Sequence, residues 1–255
     1  RGRGGAGENG RMDGGRDLAE SGRAAAYEEL RAAFAVTLLR VRGEAPGPAP
    51  EPYADELLAR WAEPQRKYHT LDHLRAVLRH LDTLTAETAR AAAHGTAAER
   101  AWAATVREPD TVRLAAWFHD AVYRPDRSEN EERSATLAER ALREVGLASG
   151  PVAEVARLVR LTTDHETAAG DGDGELLCDA DLAVLAGTPE EYAAYASAVG
   201  DEYGFLPEEQ FRRGRAEVLR HLLALPRLFR TPYGSRHWEQ RARENLATEL
   251  ALLGG

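Results

Sequence analysis

Apolar side chains recur at intervals of three and four along most of this chain, and that period leaves room for little but helix. Leu74, Val77, Leu78, Leu81 and Leu84 form one such stripe, and Val152, Val155, Leu158, Val159 and Thr162 form another. Leu219, Leu222 and Leu223, then Leu246, Leu250 and Leu253, continue the pattern, while convincing strand alternation is absent. The spacing predicts helices over about 17–42, 53–62, 70–92, 97–106, 110–123, 129–145, 151–163, 179–186, 189–203, 208–224 and 237–253. Ser128–Glu131 and Thr188–Glu191 both fit the capping box that opens a helix, the second with proline at the first helical position. A proline-rich stretch, 43–52, separates the first two helices. Residues 1–23 are rich in Gly and Arg and carry almost no apolar side chains, so they are expected to be a disordered tail. Residues 24–255 are expected to form a single all-α helical bundle domain.

Charge and composition narrow the function. With 33 basic and 42 acidic side chains, the formal charge is −9. A net acidic chain is a poor candidate for binding nucleic acid polymers, which calls for a basic face, although a small phosphorylated substrate held locally remains compatible. No apolar run approaches the ~20 residues of a membrane helix, and the first residues lack a signal-peptide apolar core. Cys178 is the only cysteine, which rules out an intrachain disulfide and a thiolate zinc cluster. A cytoplasmic enzyme is the expectation.

Three segments carry chemistry. Tyr68-His69-Thr70-Leu71-Asp72-His73 places two histidines four apart, on one face if the segment is helical. Trp117-Phe118-His119-Asp120-Ala121-Val122-Tyr123 embeds a His-Asp doublet in an apolar stretch, where a carboxylate is costly unless neutralised. Cys178-Asp179-Ala180-Asp181-Leu182 repeats the theme of acids inside an apolar run. Imidazole and carboxylate groups from three helices could converge on one divalent cation, with Mn, Fe, Co, Ni or Zn favoured over Ca.

A histidine, a downstream His-Asp doublet and a later aspartate resemble the HD superfamily of metal-dependent phosphohydrolases. The Tyr68–His73 segment is similar to the Tyr-His-Asn-x-x-His segment of the cyclic-nucleotide phosphodiesterases in that superfamily. The run from Tyr68 to Asp181, with Phe-His-Asp-x-Val-Tyr, Asn-Glu-Glu-x-Ser-Ala and Asp-Ala-Asp-Leu, resembles a small bacterial branch of predicted HD phosphohydrolases. The resemblance spans roughly residues 60–250. It implies an all-helical fold and a metal held by His73, His119, Asp120 and Asp181. It also implies His69 as general acid at the leaving oxygen, and Asp120 or Asp181 as the group that positions the attacking water. The implied reaction is hydrolysis of a phosphate ester of a nucleotide or related small molecule, with one divalent ion (Mn, Fe, Co, Ni, Zn or Mg) as cofactor.

Dinuclear members place two further histidines between the doublet and the last aspartate. Here the first of those positions is Asn130 and the second falls near His165, so one metal is expected rather than two. His165 reads equally as a second-site ligand or as a loop residue. His69 reads as the acid or as a group that orients Asp72 or Asp120. Glu131 reads as a catalytic carboxylate or as half of a capping box. Lys67 and Arg124, with Arg66, flank the motifs and are read as phosphate contacts or as ordinary surface charges. The acidic stretch from Asp164 to Glu175 lacks EF-hand spacing and is expected to be a flexible turn. Two other classes stay open. One is a non-catalytic HD protein that binds a metal or nucleotide as a sensor. The other is an iron oxygenase on the same scaffold, which the single-metal set disfavours.

Overall fold

The computed structural model describes residues 13–254, with side-chain packing from Ala24 onward. The described residues are helical and contain no strand. The helices are α1 (Asp13–Arg42), α2 (Glu51–Trp61), α3 (Leu71–His94), α4 (Ala97–Ala103), α5 (Pro109–Phe118) and α6 (Asn130–Glu144). They continue with α7 (Ser149–Leu161), α8 (Gly172–Leu182), a 3-10 turn over Ala183–Ala186, α9 (Pro189–Glu202), α10 (Glu208–Ala224), α11 (Pro232–His237) and α12 (Glu239–Leu252). The all-α expectation holds. Of the tail expected over 1–23, residues 1–12 lie outside the described residues, and α1 begins at Asp13.

The apolar stripes read from the sequence bury as one face each. Leu74, Val77, Leu78, Leu81 and Leu84 of α3 meet Phe34 and Leu38 of α1, Leu58 and Trp61 of α2, and Trp117 and Phe118 of α5 in the main core. Phe34 and Trp117 pack edge to face with ring centres 5.3 Å apart. A second, smaller core joins Leu185, Tyr192, Leu219, Phe229 and Leu246 from the C-terminal third. Trp238 packs against both cores, so the two meet at a seam.

Four local expectations change. The helix expected over 110–123 stops at Phe118, and His119 and Asp120 form the turn that follows. The cause is Arg66, whose buried guanidinium donates to the carbonyl oxygens of Asp120 at 2.8 Å and Ala121 at 3.2 Å, giving the unwound backbone its partners. The helix expected from residue 179 begins instead at Gly172, so the end of the acidic stretch read as a flexible turn is the first turn of α8. Asp171 caps it by accepting from Gly174 N at 3.0 Å, and a Cβ on Gly172 would collide with Thr105. Glycine hides this helix start because its helix propensity is low, while close approach to Thr105 demands it. The Ser128–Glu131 capping box does not form, whereas the Thr188–Glu191 box does. The short helix α11 was not expected at all.

Candidate metal centre and cleft

His73 comes from the first turn of α3, which Thr70 caps by accepting from Asp72 N. His69 lies before that cap rather than on the same helix, yet its ring stands 5.6 Å from that of His73. Trp61 supports the site from below, with its ring 6.1 Å from His73 and 5.4 Å from His119. Its indole N–H donates to Trp117 O at 3.1 Å, which fixes the turn leading into the His-Asp doublet.

The structure brings the predicted residues together. His73 Nε2 lies 3.3 Å from His119 Nε2 and 3.2 Å from Asp181 Oδ1, and His119 Nε2 lies 3.5 Å from the same oxygen. Asp120 Oδ2 approaches His119 Nε2 to 3.1 Å and His73 Nε2 to 3.7 Å. Atoms of His73, His119 and Asp181 all lie within 4.8 Å of one another, and this group could hold a metal ion.

Hydrogen bonding shows that the donor set suits a cation. His119 Nδ1 donates to Ala116 O at 2.9 Å, which places the neutral ring's lone pair on Nε2, facing the cluster. The imidazoles of His73 and His119 and the Asp181 carboxylate then offer donor atoms to one small volume, and Asp120, outside that group of three, flanks it through Oδ2. Without a cation, a proton must do the neutralising. Burial pushes the His119 imidazole down, but the charges of Asp120 and Asp181 outweigh it and hold the ring well above the usual histidine range. Burial also opposes charge on Asp181, and the positive His119 beside it more than compensates, so its carboxyl stays well below the usual range. Burial dominates at His73 and lowers its ring, with the Asp181 contact opposing only in part. A divalent ion would take the place of that trapped proton.

His165 joins the cluster from outside. Its Nε2 lies 2.9 Å from Asp181 Oδ2, the oxygen turned away from His73 and His119. It therefore orients Asp181 rather than sharing the central volume. It does so from a left-handed backbone with φ 57°, a conformation that costs a non-glycine residue about 1–2 kcal/mol. Asn130, at the first of the two missing histidine positions, is buried and spent on the loop. Its Oδ1 accepts from Arg124 N at 3.0 Å, and its Nδ2 donates to Arg124 O and Arg127 O.

Sequence reading missed Glu202. This carboxylate, 5% exposed, accepts at Oε1 from three consecutive backbone N–H groups, those of Lys67, Tyr68 and His69, at 2.9–3.0 Å. Its Oε2 lies 2.7 Å from His69 Nδ1. Burial disfavours its charge, but His69 and these N–H groups prevail and hold the carboxyl at about 2. One signal was available: Tyr195, Val199 and Glu202 share a face of α9, so an acid sits on an apolar stripe.

His119, Asp120 and Asp181 floor a cleft of about 470 Å³ that His69, His165 and Glu131 also line, whereas His73 does not line it. Glu131 is thus in the cleft and not in a capping box. Lys67 and Arg124, read as phosphate contacts or as ordinary surface charges, do not line it: Lys67 Nζ turns to Pro64 O and Arg124 pairs with Asp126. Arg66, also read so, is 4% exposed and braces the His119–Asp120 turn instead. Comparison of this chain with protein-family models, with curated proteins and with solved structures finds no match.

Proposed function

We propose that the chain is a metal-dependent phosphohydrolase, consistent with its resemblance to the HD superfamily, and that it cleaves a phosphate ester of a nucleotide or related small molecule. The observation that carries this reading is the convergence of His73, His119, Asp120 and Asp181, with the His119 tautomer fixed by Ala116 O. These four residues would hold one divalent ion. When bound, such an ion supplies Lewis-acid polarisation of the phosphoryl group and activation of water.

The remaining steps belong to the chain itself. Asp120, with Oδ2 3.9 Å from His69 Nε2, positions the attacking water in line with the bond that breaks, across phosphorus from the leaving oxygen that His69 serves. His69 carries a proton on Nε2 toward the leaving oxygen while Glu202 accepts from Nδ1–H and fixes the ring. His165 keeps Asp181 in register through its second oxygen.

The experiment is phosphate release from a panel of phosphate esters by metal-loaded wild type and by Asp120→Ala. Wild type should release phosphate from at least one ester, and Asp120→Ala should fall to background with its metal lost. Bound metal with no release from any ester would favour the sensor reading. Full turnover in Asp120→Ala would place the chemistry elsewhere.

A further inference from the structure

The cleft above the cluster has two unlike halves. Its floor is His119, Asp120 and Asp181. The facing wall comes from α9, the turn after it and α10, and its aromatic and apolar members are Tyr195, Tyr203, Leu206, Phe211 and Val218. The rings of Tyr203 and Phe211 stand 6.1 Å apart, and Val218 is 49% exposed although it is apolar. Phe211, Gly214 and Val218 follow one another at three and four residues, so they lie along one face of α10.

Gly214 is the informative member of that face. A glycine inside a helix costs about 0.5–1 kcal/mol relative to alanine. A Cβ at this position would meet nothing within 4 Å, so close packing does not require the glycine. Its effect is to leave the cleft open between Phe211 and Val218.

Charge limits what can fill the space. Among the described residues, Arg215 is the only arginine or lysine lining the cleft, and it is already engaged: Nε and Nη2 donate to Glu249 at 2.8 and 2.9 Å, and Nη1 donates to the Tyr195 hydroxyl at 3.2 Å. Asp120, Glu131 and Asp181 line the same cleft. One divalent ion offsets two of these three carboxylates. Among the described residues lining the cleft, a second or third phosphoryl group would find no arginine or lysine free to recognise it.

We propose that this cleft takes a phosphate monoester with a single phosphoryl group, whose alcohol carries an apolar ring that lies against the Tyr203–Phe211–Val218 wall. The proposal rests on the hydrolase reading of the floor. The cleft volume of about 470 Å³ falls within the ~300–1,000 Å³ of small-molecule sites. In the reaction, water oxygen bonds to phosphorus, the bond from phosphorus to the alcohol oxygen breaks, the proton on His69 Nε2 passes to that oxygen, and the proton released from the attacking water then restores His69 through solvent.

The test uses the full chain loaded with Mn and three probes: 2-phenylethyl phosphate, ethyl phosphate and 2-phenylethyl diphosphate. The two monoesters share a primary alkoxide leaving group, so they differ only at the wall. Calorimetric titration should show 2-phenylethyl phosphate binding roughly tenfold tighter than ethyl phosphate, with the diphosphate no tighter than its monophosphate. Gly214→Phe should weaken 2-phenylethyl phosphate about tenfold and ethyl phosphate far less, and Phe211→Ala should reduce the same preference without filling the cleft. Equal affinity for the two monoesters, tighter binding of the diphosphate, failure of both monoesters to bind, or no change in either variant would overturn the proposal. Phosphate release from the same samples separates the two claims. The predicted binding pattern with no phosphate released from any ester leaves the wall standing and removes the hydrolase reading. Equal kcat/KM for both monoesters leaves the hydrolase reading and removes the wall.

Discussion

His69 and Glu202 show how one side chain's role depends on a distant partner. They lie 133 residues apart, and their contact closes the segment before α3 onto the end of α9. The carboxylate does two tasks: one oxygen gathers three backbone N–H groups and the other fixes the imidazole. His69→Asn should leave bound metal nearly intact and reduce turnover by roughly 10²–10⁴-fold, the usual worth of a general acid. The loss should shrink for a nitrophenyl ester, whose leaving group needs little protonation. Equal losses for alkyl and nitrophenyl esters would make His69 a positioning group, and loss of metal would make it a ligand. The metal-type residues were legible because histidine and aspartate stand out in apolar runs. Glu202 and Arg66 were not, because their backbone partners lie 54 to 135 residues away, and for Glu202 the one local signal, an acid on the apolar stripe of α9, does not say what it holds. For Lys67 and Arg124 the sequence left phosphate contact and ordinary surface charge both open, because adjacency to a motif says nothing about which way a long cationic side chain points, and the second reading is the one their contacts favour.

At the scale of elements, α3 was readable almost to its ends, since its buried stripe repeats every three or four residues and Thr70 caps it. The start of α8 was not, because Gly172 and Gly174 serve close packing against Thr105 and Leu161 rather than helix propensity. The two candidate capping boxes separate on tertiary grounds. Thr188 and Glu191 bond reciprocally, whereas at the head of α6 Asn130 clamps the preceding loop instead. α3 also carries His80, its ring edge-on to Trp238 at 5.4 Å. Burial, and then the charge of Arg79, lowers His80 to about 4 from 6.5. The folded chain therefore binds fewer protons than the unfolded chain between those values. The stability it contributes is fully present above about pH 6.5 and is lost as pH falls toward 4. Urea unfolding of metal-free protein at pH 7 and pH 4.5 should show wild type losing about 1–2 kcal/mol more than His80→Gln, a figure reduced for solvent screening of a half-buried ring. Equal losses in the two proteins would mean the ring is free to charge in the fold.

For the whole molecule, the centre sits where the two cores meet. The main core supplies α3, α5 and α8 with their ligand-type residues, and the smaller core's elements supply the α9–α10 wall and Glu202. His73, His119 and Asp181 are far apart in sequence, so the cluster exists only in the folded chain, and a bound ion should stabilise the fold by mass action. Among the described residues no helix is long and apolar enough to cross a membrane. The claim on which everything else depends is that these residues hold a divalent ion. The direct measurement is metal per chain after loading with Mn, Fe, Co, Ni or Zn and removal of unbound ion, for wild type, His119→Ala and His73→Ala, with helical circular dichroism to confirm folding. The account predicts about one ion per wild-type chain for at least one of these metals and close to none in either folded variant. A wild-type chain that retains no metal, or folded variants that keep the full complement, would contradict it.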